Sequence, residues 1–176
     1  MSAVDLSAFI RDIPDFPQPG IVFRDITPLL ADARALDAAV DALAQFARPL
    51  DIDMVIAAEA RGFVLGPALA RELGAGFVLA RKPGKLPHET TSAEYALEYG
   101  TDALEVHTDA ITPGSRVLVH DDLLATGGTS GALCHLAEQL GGEVVACAFL
   151  IELAFLPGRE ALAGRPVHAV LSYGAD

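Results

Sequence analysis

The sequence predicts an α/β fold with a mostly parallel central sheet flanked by helices. Three observations carry this expectation. Apolar runs of strand length alternate along the chain with longer runs whose apolar residues recur at helical spacing. Strand runs such as Met54 to Ala58 and Arg116 to Val119 lead into glycine-bearing turns that open helices, the pattern of a sheet covered on both faces. At 176 residues, 52% hydrophobic and 20% charged, the chain suits one domain with a sizeable core.

In chain order, residues Leu6 to Ile13 suggest a short helix, followed by the proline-rich connector PDFPQPG. A helix is expected over Ala33 to Phe46, with Asp32 as its N-cap and Leu36, Val40 and Leu43 on one face. Met54 to Ala58 reads as a strand and Gly62 to Leu73 as a helix stopped by Gly74. Gly76 to Ala80 is a further strand. Tyr95 to Val106 alternates around Tyr99-Gly100-Thr101-Asp102, the pattern of a β-hairpin. Arg116 to Val119 is a strand, Thr129 to Leu140 a helix and Glu143 to Ile151 a long apolar strand. Arg159 to Ala163 is a short helix and Val167 to Leu171 the last strand.

Composition excludes some functions. The net charge of −12 argues against a nucleic-acid binder, which needs a basic face. No apolar run approaches bilayer-spanning length. The N-terminus lacks a basic segment followed by an apolar one, so no signal peptide is evident and a cytoplasmic location is the default. Cys134 and Cys147 have no metal-ligand spacing with the histidines and read as buried, inert thiols. His88, His107, His135 and His168 likewise form no ligand-like spacing.

The cations are unevenly placed. The only lysines, Lys82 and Lys85, stand beside Arg81 in RKPGKLP, and the next cation is Arg116. This run suits either a small anionic ligand or a solvated loop. In open parallel sheets ligands collect at the carboxyl ends of the strands. That rule points to Glu59-Ala60-Arg61, to Arg81-Lys82 and to the stretch from Asp121 to Thr129.

The last stretch is the most informative. In Ala125-Thr126-Gly127-Gly128-Thr129 the glycines allow close backbone approach, and N–H groups at a helix start can cradle an anion. The lysine of a Walker loop and the G-x-G-x-x-G dinucleotide fingerprint are both absent, so the loop suits a monophosphate. An ordinary strand-to-helix turn is the alternative. Asp121 and Asp122 would repel a phosphate unless something offsets them. The vicinal hydroxyls of a ribose phosphate could donate to them, and Mg²⁺ would offset their charge. A solvated acid pair at a strand end is the other reading.

These residues also carry a resemblance. VLVHDDLLATGGTSGAL resembles the phosphoribosyl-pyrophosphate (PRPP) signature of the type I phosphoribosyltransferases. FPQPGIVFRDITPLL, AAEARGFVLGPALA, ARKPGKLP and LEYGTDALEVHTDAITPG resemble segments of the adenine phosphoribosyltransferase family, in the same order. The resemblance implies the type I phosphoribosyltransferase fold as a single domain over residues 1–176. A small N-terminal hood would cover 1–30, and a flexible β-hairpin lid 81–106. It implies a purine-salvage pentosyltransferase in which adenine and PRPP give AMP and pyrophosphate, with Mg²⁺ carried on PRPP, in a homodimer.

It also implies roles. Ala125, Thr126, Gly127, Gly128 and Thr129 would hold the 5-phosphate, and Asp121 and Asp122 the ribose hydroxyls. Ala60, Arg61, Arg81, Lys82 and Lys85 would face pyrophosphate, Ala60-Arg61 in a turn that is often strained or cis in relatives. Val22, Phe23 and Arg24 would form the adenine slot. Read on their own, Phe23 suits core packing and Arg24 a salt bridge. Glu98 would act as acid/base group at the imidazole edge of the purine, and Tyr99 would help close the site.

His120 departs from the family, whose members carry an aliphatic residue there. It reads as a packing or hydrogen-bonding substitution, and it could make PRPP affinity pH-sensitive near neutrality. Two rivals remain. An enzyme for hypoxanthine, guanine or xanthine is disfavoured because Cys147 to Glu152 supplies no lysine. A non-catalytic PRPP-binding regulator is disfavoured because the chain lacks a basic DNA-binding module.

Overall fold

The computed structural model describes residues 4–96 and 101–175. Its centre is a five-stranded sheet of β3 (Met54–Ala58), β4 (Gly76–Ala80), β7 (Arg116–Leu124), β8 (Glu143–Leu153) and β9 (Val167–Tyr173). The strand order is β4-β3-β7-β8-β9 and every pairing is parallel. The central position of β7 follows from its residues, since Val117, Leu118 and Val119 are fully buried. Helices α2 (Ala33–Ala47) and α3 (Gly62–Leu73) cover one face, and α4 (Gly128–Gln139) covers the other. One apolar core lies on each side, Leu43, Leu65 and Leu69 in the first and Leu133, Leu136 and Phe149 in the second.

Helix α2 begins as expected. The Asp32 carboxylate accepts from the N–H groups of Arg34 and Ala35, which the helix itself leaves unpaired. Its inner stripe is built mainly from small residues, Ala35, Ala39, Leu43, Ala44 and Ala47, while Leu36 and Val40 are only partly buried. Helix α3 ends at Gly74, whose φ of 68° closes it in the left-handed region.

Three elements differ from expectation. Leu6 to Ile13 is a short 3-10 turn over Leu6–Phe9 followed by β1 (Arg11–Pro14). Here β1 pairs antiparallel with β2 (Val22–Asp25), so the proline-rich connector closes a small separate sheet. The short helix α1 (Thr27–Ala31) then leads to α2. The second difference is the hairpin, which starts earlier, with β5 (Thr90–Ala96) antiparallel to β6 (Thr101–His107). The third concerns β7, which does not stop at Val119. Its ladder to β8 continues through Leu123↔Ile151 and Leu124↔Glu152, so the acid pair lies on the strand and the turn begins after it. The remaining helix, α5 (Gly158–Ala161), follows β8.

The two cysteines are free and buried, facing each other from α4 and β8 with Sγ atoms 3.8 Å apart. Among the described residues no helix is long and apolar enough to cross a membrane.

Candidate active site

The carboxyl ends of β3, β4 and β7 bring the expected site segments to one edge of the sheet. The loop Ala125 to Thr129 joins β7 to α4 and, with Asp121, Leu123 and Ser130, lines a cleft of about 70 Å³. Gly127 caps α4 with φ 85°, a backbone state that side chains disfavour. A Cβ there would also stand 2.8 Å from the Gly158 carbonyl oxygen and 2.7 Å from Ala161 Cβ. The loop is therefore braced from behind by α5. A bidentate pair anchors that support: Arg159 Nε and Nη2 donate to the buried Glu152 at 2.6 and 2.8 Å.

Asp122 is nearly enclosed, its side chain 6% exposed, and accepts from Arg61 Nε at 2.6 Å. Arg61 follows the cis peptide Glu59–Ala60 and opens α3. Its guanidinium carbon also lies 5.3 Å from the centre of the Phe23 ring. One arginine thus joins the acid pair to the hood strand β2. Asp121 Oδ1 accepts from the Asp122 N–H at 2.9 Å and lies against Gly62, where a Cβ would stand 3.1 Å from it. Burial, then the adjacent Asp122 charge, pushes the Asp121 carboxyl well above the usual range.

Arg81 and Lys82 follow β4 and gather around Glu59. The Lys82 N–H donates to Glu59 Oε1 at 2.7 Å, and Arg81 Nε lies 3.3 Å from the same oxygen. The Lys82 N–H first, then Arg81, holds Glu59 below the usual carboxylate range despite its partial burial. The Lys82 ammonium pairs with Asp102 of β6 at 2.9 Å. The Lys85 carbonyl accepts from Arg81 Nη1 at 3.4 Å.

The hood residues border an apolar pocket of about 290 Å³ lined by Phe23, Arg24, Asp25, Ile26, Thr27, Leu30, Arg61 and Val64. Val22 stands at the start of the same strand, opposite Pro14. The Arg24 guanidinium is committed elsewhere, 2.6 Å from Asp12 and 4.1 Å from the centre of the Tyr173 ring. It ties the hood to β9, and its side chain is buried. Larger concavities of about 410 and 460 Å³ lie beside Arg48 and Glu72, and beside Val170 and Leu171. Neither contains the acid pair or the glycine loop, so chemistry and not size selects the site. Glu98 and Tyr99 lie outside the described residues.

His120 is fully buried with Nδ1 2.9 Å from the Ala148 carbonyl oxygen. That oxygen can only accept, so Nδ1 carries the proton and Nε2 is left as a buried acceptor without a partner among the described residues. Burial pushes the imidazole down to about 4. This overturns the expectation of pH sensitivity near neutrality, because the ring is already neutral there.

Residues to which sequence reading gives no role at the site are Glu59, Tyr95 and Asp102. Tyr95 Oη lies 3.4 Å from Asp102 Oδ2, within the hairpin. The position of Glu59 at a strand end was a usable signal. Asp102 offered none, since acids in a hairpin are usually solvated.

A parallel sheet with an acid pair, a glycine loop and convergent cations at one edge defines a phosphoribosyl transferase domain, and residues 29–162 match that family's model. The adenine phosphoribosyltransferase of Rubrobacter xylanophilus is 64% identical over 93% of this chain and 89% of its own. The crystal structure of the Thermoanaerobacter pseudethanolicus adenine phosphoribosyltransferase superposes with a TM-score of 0.94 at 51% identity, covering 96% of this chain and 98% of its own. The Saccharomyces cerevisiae enzyme, complexed with an imino-altritol bisphosphate and adenine, gives 0.89 at 39% identity, covering 93% and 94%. The chain belongs to the adenine phosphoribosyltransferase family.

Proposed function

We propose that the chain transfers the 5-phosphoribosyl group of PRPP to adenine, releasing AMP and pyrophosphate. The observation that carries this reading is the convergence of the Asp121-Asp122 pair, the Ala125 to Thr129 loop and Arg61 at one sheet edge, with the hood pocket reached through Arg61. The loop backbone and the Thr126 and Thr129 hydroxyls hold the 5-phosphate. Asp121 and Asp122 accept from the ribose hydroxyls. Arg61, Arg81, Lys82 and Lys85 receive the departing pyrophosphate, with Ala60 shaping the turn. The apolar slot of Val22, Phe23 and Arg24 holds the flat base, Arg24 through its backbone.

As the bond from C1′ to pyrophosphate lengthens, positive charge develops on the sugar and the attacking purine nitrogen must lose a proton. Glu98 takes that role, and Tyr99 helps exclude water that would hydrolyse PRPP. Residues 1–30 act as hood and 81–106 as lid; the separate β1–β2 and β5–β6 sheets support that division. The oxygen donors Asp121 and Asp122 suit a hard cation. The family resemblance implies that Mg²⁺ would enter with PRPP. When bound, Mg²⁺ would neutralise charge on the diphosphate. The family resemblance also supports a homodimer.

The test is base specificity. Purified protein, PRPP and Mg²⁺ are mixed with adenine, hypoxanthine, guanine or xanthine, and nucleotide formation is followed. AMP from adenine alone is expected. Turnover of an oxopurine would discard the hood assignment, and tight PRPP binding with no turnover would make the protein a regulator.

A further inference from the structure

Each cation followed by close partners at the candidate site is already held by a carboxylate of the chain. Arg61 is held by Asp122, Arg81 by Glu59 and the Lys82 ammonium by Asp102. Asp122 and Glu59 sit on or beside the strands that build the site. Asp102 does not. It stands on β6 of the hairpin, reaching across to the loop after β4.

From this geometry we infer that Asp102 is an internal counter-anion that competes with pyrophosphate for Lys82 and so weakens product binding. The inference rests on the transferase reading and concerns how its product leaves. Three observations carry it. The Lys82 Nζ to Asp102 Oδ2 distance is 2.9 Å, that of a direct charged hydrogen bond. The Asp102 side chain is 23% exposed and that of Lys82 56%, so the pair is held on one side while a ligand can reach the lysine. The Asp102 carboxylate is oriented within the hairpin, because its Oδ1 accepts from the Ala103 N–H at 2.9 Å and its Oδ2 lies 3.4 Å from Tyr95 Oη.

The physical consequence is an exchange of ion pairs. When a diphosphate enters, Lys82 turns from one anion to another, so part of the attraction is offset by the pair that breaks. When pyrophosphate leaves, Asp102 is in place to take the lysine back, and the cleft does not pass through a state with an unpaired cation. This keeps a cationic cleft from holding its product too tightly.

The test is a double-mutant cycle on the full chain, reading inorganic pyrophosphate affinity with Mg²⁺ by calorimetry. The variants are Asp102→Asn, Lys82→Gln and the two together. Asparagine keeps the acceptor for the Ala103 N–H, so the hairpin anchor survives. A partly exposed pair supports a change of about twofold to fivefold. Asp102→Asn is expected to tighten pyrophosphate by that factor when Lys82 is present and by clearly less when residue 82 is glutamine. Equal tightening in both backgrounds would mean that Asp102 acts only through general charge, and the inference falls. Unchanged or weaker binding in Asp102→Asn also overturns it. Absence of pyrophosphate binding by the unmodified protein would instead sink the transferase reading itself.

Discussion

His120 gives a sharp quantitative test of the structure. A neutral imidazole packed under the acid pair must stay neutral, because protonation would place a charge in a fully buried site. Its value falls from the ordinary 6.5 to about 4. The sign follows directly: below about pH 6.5 the unfolded chain takes up a proton that the folded chain refuses, so stability is lost as pH falls toward 4. With ~1.4 kcal/mol for each pH unit, the loss is ~2 kcal/mol between pH 7 and 5 and ~3 kcal/mol by pH 4. Replacing the ring by His120→Val removes this term. Other titrating groups are shared by both proteins, so the difference between their stabilities isolates it. Denaturant unfolding of both at pH 7, 6 and 5 is the assay. The advantage of valine over histidine is expected to grow by ~2 kcal/mol across that range, or about 4–8 °C in melting temperature. A difference that stays constant with pH would show that His120 is not a buried neutral ring. PRPP affinity between pH 7 and 8, where the ring does not titrate, should have the same pH profile in both proteins.

Two further outcomes are expected. Asp121→Asn should raise the melting temperature at pH 7, because burial and the Asp122 charge make the ionised carboxylate unfavourable there, and asparagine still accepts from the Asp122 N–H. The gain should vanish as pH falls toward the ordinary carboxyl value of 3.8, while PRPP turnover drops at every pH; melting curves and initial rates check both. Gly127→Ala should destabilise the fold by about 1–3 kcal/mol, from its φ of 85° and the contacts with Gly158 and Ala161, and should raise the KM for PRPP more than it lowers kcat. Unchanged stability in that variant would contradict the braced loop.

The elements that sequence alone made legible were those whose signals are local. Asp32 as a cap, Gly74 as a stop and the apolar runs of β3 and β4 act within a few residues, and each lies where its pattern puts it. The glycine loop was legible for the same reason. The continuation of β7 through Asp121 and Asp122 was not, because acids are poor strand formers and the apolar pattern ends the strand at Val119, ahead of the pair. What holds them in the strand is β8 alongside, a neighbour that local pattern cannot supply. The β1–β2 pairing was hidden by the prolines between its strands. The site's ion pairs were hidden more deeply. Arg61 and Asp122 are 61 positions apart, and their contact exists only because β3 and β7 are adjacent in the sheet.

These pairings also bear on how a chain of net charge −12 could build the anion site we propose. Distant charge is screened by salt within about 10 Å, so the local arrangement decides. At the edge of the sheet Arg61, Arg81 and Lys82 each face an acid, beside the N-terminus of α4, which has no side-chain cap. A cleft of bare cations would repel itself and bind any passing phosphate. A cleft of matched pairs is near neutral until a ligand offers better partners at several points together. A monophosphate can satisfy the glycine loop alone. On the roles we propose, PRPP would offer a phosphate to the loop, hydroxyls to Asp121 and Asp122, and a diphosphate to Arg61, Arg81, Lys82 and Lys85. On that proposal only the larger ligand would replace every pair it breaks, and the acids would select for it by making partial occupancy unfavourable.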